Sequence, residues 1–228
     1  MTCADDLVQA IPSASRQLVV ISSEGWEASR ASVRRFVRTG AKAPWSPVGP
    51  AMPALMGERG MAWGLGLQSA SRNEVRRKRE GDRCAPAGVF RITGAFGTLT
   101  EDEVRGIRLP YRRLGPGTEA VDDPESVAYN QIVERRAMAK PDWRSSERMR
   151  TSGGYRLGLT IGFNPRNVRG AGSCIFLHVW EGRRTGTAGC TILRYPHMLA
   201  LTRWLDPEAK PTLVQAPREE LRALGLPE

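Results

Sequence analysis

Two side chains in this sequence have the types and spacing needed for covalent chemistry: His178 and, twelve residues later, Cys190. A free thiol with a pKa of about 8.5 is mostly protonated at neutral pH, and it becomes a nucleophile only beside a base or a positive charge. Cys190 closes a run of small residues, Thr185-Gly186-Thr187-Ala188-Gly189-Cys190. Such a run lets a substrate carbonyl approach the main chain, and it offers the N–H groups of Gly189 and Cys190 to a developing oxyanion. His178 is the candidate base in this neighbourhood. The other histidine, His197, reads as a surface residue near the start of a helix.

The elements that must position this pair follow from periodicity. Side chains alternate across a strand, so a strand over 173–180 puts Cys174, Phe176, His178 and Trp180 on one face. Ile175, Leu177 and Val179 take the other face, the core. Alone, a histidine in such a strand is a hydrogen-bonded packing residue; the thiol downstream is what favours chemistry. Cys174 lies four residues from His178, roughly 13 Å at strand rise, and reads as packing.

The rest of the chain gives strands over 17–21, 32–38, 88–92, 155–163 and 212–215, from β-branched and apolar runs. Residues 44–53 contain four prolines and read as loop or edge strand. Residues 115–124 and 141–154 read as loops, and 74–83 as an exposed, charged loop. A helix is predicted over 196–205, with Pro196 early where its missing N–H costs nothing, and a short helix over 219–224. The expected organisation is an N-terminal tail, 1–16, followed by a single domain, 17–228.

A net charge of +10 points to attraction by an acidic polymer or to a solvated basic surface. The basic run 75–83 contains no aromatic residue to stack on bases and no nucleic-acid-binding motif is present, so nucleic acid is not an expected partner. The cysteines, Cys3, Cys84, Cys174 and Cys190, show no C-x-x-C spacing, which argues against structural zinc. Cys3 and Cys84 are a candidate disulfide. No run approaches the roughly 20 apolar residues of a membrane span. The stretch after Met1 lacks the apolar core of a signal peptide.

Four motifs in order resemble the YkuD-type L,D-transpeptidase family, in its branch with alanine before Gly-Cys. They are Lys78-Arg79-Glu80-Gly81-Asp82 with the segment Ala85 to Arg91, then Val121-Asp122-Asp123-Pro124 with Tyr129-Asn130, then residues 173–180, and finally Thr187-Ala188-Gly189-Cys190. The similarity runs from about residue 17 to 216. It implies a mainly β chain, a β-sandwich catalytic domain with a few short helices. It implies Cys190 as the nucleophile that forms a thioester, His178 as its base, and the Val179 main-chain carbonyl as the group that orients the histidine.

The resemblance further implies peptidoglycan stem peptides as donor and acceptor, no cofactor or metal, a monomer, and a periplasmic or wall-facing location after export. Candidate substrate contacts are Tyr129, Asn130, Trp180, Arg79, whose guanidinium would hold stem-peptide carboxylates, and Thr187. Asp122 and Asp123 read as a turn. Family members with His-Gly-Cys carry an arginine two residues after the cysteine; here Ala188 and Ile192 stand at those places, so the type of cross-link is not implied. Water as acceptor would make the enzyme an L,D-carboxypeptidase. A wall-binding domain without catalysis is the alternative of a different class. A papain-like endopeptidase is disfavoured, because there the cysteine precedes the histidine.

Overall fold

The apolar run Gln17–Ser23 (β1) is paired along both of its edges, and this decides the architecture. On one side it runs parallel to Thr212–Pro217 (β14), and on the other antiparallel to Arg30–Val37 (β2). A computed structural model describes residues 3–68, 76–151, 153–182 and 185–226. Between β2 and β14 come β3 (Ser46–Pro47), β4 (Met52–Leu55), β5 (Met61–Trp63), the long β6 (Ala85–Gly97), β7 (Tyr111–Arg113), β8 (Thr118–Val121), β9 (Gln131–Glu134), β10 (Ser146–Arg148), β11 (Leu157–Ile161), β12 (Phe176–Val179) and β13 (Thr191–Leu193). The neighbour order β1-β14-β6-β11-β12-β13-β4-β2 returns to β1 and closes a ring.

The chain is 34% strand and 14% helix, and its strands form a closed eight-stranded barrel with extra strands, not the β-sandwich expected from the resemblance. The reason lies in what alternation can encode. Inward and outward residues alternate in a sandwich and in a barrel alike. Closure depends on which edges pair, and no local pattern records that both edges of β1 are used.

Each barrel strand sends residues inward: Val19 and Ile21 from β1, Val33 from β2, Ala54 from β4, Phe90 from β6, Leu159 from β11, Leu177 from β12, Leu193 from β13 and Leu213 from β14 form one buried cluster. Helix α2 (Tyr195–Trp204) adds Met198 and Leu201 to it, with Pro196 in its first turn. Burial of this kind is worth about 1.5–3 kcal/mol per large side chain. Residues of opposite parity in β1 and β14, Leu18, Val20 and Val214, face outward and are covered by α1 (Cys3–Ala10) and α3 (Arg218–Leu221). The N-terminal segment is therefore packed and not a tail: Leu7 is wholly buried in this second cluster.

A separate sheet, β10-β8-β9, stands where loops were expected at 115–124 and 141–154. Its Ala120 meets Phe96, Tyr155 and Phe176 in a third cluster on the outer face of β6 and β12. The strand expected at 155–163 begins only at Leu157, because Gly153–Arg156 forms a 3-10 turn. Of the run 74–83, residues 74 and 75 lie outside the described residues, and Lys78 is buried instead of exposed.

Candidate active site

Strand pairing places the thiol beside the histidine. β12 and β13 run parallel, with Leu177 opposite Thr191 and His178 opposite Ile192. One step back, Cys190 comes level with Phe176, whose N–H points at the Cys190 sulfur from 3.3 Å. Phe176 and His178 share the outward face, so the thiol stands one strand over and two residues along from the imidazole.

His178 is held by two carbonyls. Its Nδ1 lies 3.1 Å from the Val179 carbonyl and 3.2 Å from that of Gly154. Both are acceptors, so Nδ1 carries the proton in the neutral ring and Nε2 carries the basic lone pair, an assignment made from the hydrogen bonds. The Tyr155 ring meets the imidazole edge to face, with centroids 4.8 Å apart.

The turn before Cys190 is braced from inside. The Thr187 hydroxyl donates to the Cys190 carbonyl at 2.6 Å and accepts from the Gly189 N–H at 3.1 Å. Backbone hydrogen bonds from Thr187 N to Met56 O and from Glu58 N to Thr187 O tie it to the neighbouring loop. Gly189 has φ +148°, and a Cβ there would come within 2.7 Å of Ile175 Cδ1. The expectation that Gly189 offers its N–H to an oxyanion is corrected: that donor is spent on Thr187. For the Cys190 N–H no acceptor is found among the described residues.

Cys190 lines a cleft of about 430 Å³ on the outer barrel face, together with His178, Tyr155, Lys78 and Glu147. Burial pushes its thiol up to about 12; the Phe176 N–H opposes this, Glu147 adds to it, and Lys78 opposes it. The Cys190 thiol is thus neutral at pH 7. Lys78 is 5% exposed and paired with Asp82 at 2.5 Å, and Arg83, at the rim, is paired with Glu58 at 2.7 Å. Facing them are the carboxylates of Glu80, Asp122, Glu147 and Glu181.

The residues assigned to substrate from the sequence fare differently. Thr187 lines the cleft, but its hydroxyl serves the turn. Tyr129 is 2% exposed and donates to Glu80 at 2.5 Å, so it is a packing group and not a substrate contact. Asn130, at φ +61°, donates to the carbonyls of Phe163 and Asn164 and accepts from the Cys174 N–H at 2.8 Å. It too is a brace. Arg79 is exposed, and its main chain caps against Asp82, outside the cleft. Trp180 also lies outside the lining; its indole donates to the Gly182 carbonyl at 3.1 Å and Arg194 stacks on it.

Cys174 packs against the third cluster, as read, and it also reaches the cleft. The chain is not extended there, with φ +52°, and this brings Cys174 to the cleft, its carbonyl 3.7 Å from the Cys190 sulfur. Cys84 is a free thiol, not half of a disulfide. Asp123 accepts from the N–H groups of Glu125 and Arg144 and makes a turn, as read. The sequence reading missed Gly154, Tyr155 and Glu147, which sit in segments taken as loop or as plain strand.

Comparison of the chain with protein-family models, with curated proteins and with solved structures finds no match. No helix among the described residues is long and apolar enough to cross a membrane. Among the described residues, no three His, Cys, Asp or Glu side chains gather as a metal site would require.

Proposed function

We propose that this chain is a cysteine acyltransferase, an L,D-transpeptidase acting on peptidoglycan stem peptides, with Cys190 as nucleophile and His178 as base. The observation that carries the reading is that a carbonyl-oriented imidazole on β12 and a thiol immediately before the adjacent β13 line one cleft. The sandwich implied by the sequence resemblance is not the fold found, so the site and the ordered motifs support the reading and the architecture does not.

The chemistry divides into two halves. As the Cys190 sulfur bonds to the donor carbonyl carbon, the thiol proton passes to His178 Nε2, and the oxygen takes negative charge near the Cys190 N–H. Collapse breaks the C–N bond to the terminal residue, whose amine leaves with the proton from the imidazolium. The thioester is then attacked by an acceptor amine, which gives its proton to His178, and the sulfur leaves and recovers it. Water in place of the amine gives carboxypeptidase activity. Because burial raises the Cys190 pKa, the thiol proton has to pass to His178 as the sulfur attacks and not before it.

The same reading assigns the protein to a wall-facing compartment. The test is incubation with disaccharide-peptide muropeptides, with products read by mass spectrometry. Cross-linked dimers or shortened stems that disappear in Cys190→Ala support the proposal. No product from any stem length overturns it and leaves wall binding as the better account.

A further inference from the structure

We infer that Tyr155, through its ring, is a positioning residue that holds the His178 imidazole in its working orientation. The two carbonyls on Nδ1 choose the tautomer, but hydrogen bonds to one nitrogen leave the ring able to tilt about that end. The Tyr155 ring closes off this freedom, standing edge to face against the imidazole at 4.8 Å.

A positioning group must itself be immobile, and this one is. Tyr155 is 4% exposed. Its ring packs at 5.6 Å on Phe96 and at 5.9 Å on Phe176, the residue that shares a strand face with His178. Its hydroxyl donates to Glu147 Oε2 at 2.6 Å. Glu147 lies on β10, and that strand is hydrogen-bonded to β8 through the pairing of Glu147 with Ala120. The small sheet thereby reaches the base through one phenol. Gly154 supplies the second carbonyl from the adjacent residue, so one 3-10 turn contributes both a hydrogen-bond acceptor and a wall. The role as positioner for acyl transfer rests on the function proposed above; the orientation of the ring does not.

The chain contains two histidines, which makes the test direct. Long-range ¹H–¹⁵N spectra of histidine-labelled protein resolve two imidazoles, and the Nδ1–H tautomer of His178 has its own nitrogen shifts. Wild type, Tyr155→Phe and Glu147→Gln, which all keep the ring, are expected to show this tautomer unmixed. Tyr155→Leu is expected to show averaged nitrogen shifts while the chain stays folded. Its muropeptide turnover should fall on the order of tenfold to a hundredfold, as misplaced catalytic groups do, and Tyr155→Phe should restore it. A folded Tyr155→Leu protein with unchanged His178 shifts overturns the inference, as does a Phe variant that loses them as fully as the Leu variant. Should the Leu variant not fold, nuclear Overhauser contacts between the two rings in the wild type decide, and their absence overturns it. Absent turnover with intact ring signatures would instead count against the transpeptidase.

Discussion

The Gly154 carbonyl stands 3.2 Å from His178 Nδ1, and a Cβ built on Gly154 would lie 2.8 Å from that same nitrogen. Residue 154 can therefore orient the His178 ring only while it has no side chain. Gly154→Ala pushes against the ring and against the Val179 carbonyl, 3.1 Å away. The expected result is a turnover lowered on the order of a hundredfold with circular dichroism unchanged. Wild-type turnover in this variant would mean that the carbonyl is incidental.

The state of the thiol gives a second expectation. Burial raises the Cys190 pKa to about 12, so the neutral form dominates at pH 7 and the thiolate appears only as pH rises toward that value. Alkylation of Cys190 by iodoacetamide, followed by peptide mass, should be slow at pH 7 and climb steadily above pH 9. A preformed thiolate–imidazolium pair would instead give a plateau reached below neutrality, and that profile would contradict the neutral resting site.

Thr187 tests the architecture of the turn. Replacing it by valine removes a hydroxyl that serves the Cys190 carbonyl and the Gly189 N–H, leaving a buried donor unmet. Thermal unfolding should show a loss of about 1–3 kcal/mol, with Thr187→Ser close to wild type. An equal loss in both variants would point to the methyl group.

Tyr129, Asn130 and Arg79 separate bracing from binding. Asn130→Ala breaks the link to the Cys174 N–H and the carbonyls of Phe163 and Asn164, and should destabilise the fold by about 2 kcal/mol or more. Tyr129→Phe, which deprives Glu80 of one donor, should cost about 1 kcal/mol. Arg79→Ala, at an exposed position outside the cleft, should change stability by less than about 0.5 kcal/mol and leave muropeptide KM unchanged. A raised KM for Arg79→Ala would restore it as a substrate contact.

What was legible in the sequence is what local periodicity encodes. Parity along 176–179 assigned Leu177 and Val179 to the core and His178 to the opposite face, as the structure has it. The α2 boundaries were close because Pro196 and the apolar spacing mark them. Barrel closure was not legible, since the pairing of β1 with β14 joins segments nearly 200 residues apart and leaves no local trace. The strand expected from 173 begins only at Phe176, because Cys174 turns at φ +52°, which side-chain type does not reveal. Glu147 and Tyr155 were hidden for a related reason: their partnership with His178 is made by the small sheet and a 3-10 turn, in segments whose sequence marks only irregularity or an unbroken strand.

Intact-protein mass spectrometry after mixing with a tetrapeptide muropeptide tests the central claim most directly, because it looks for the bond itself. The expected result is a mass gain equal to the donor less the free terminal amino acid it expels, located on Cys190 by peptide mapping and absent from Cys190→Ala. It should also be suppressed by roughly 100-fold or more in His178→Ala. Cross-linked or trimmed product formed with no adduct on Cys190, or an adduct that persists at full rate without His178, would contradict the account.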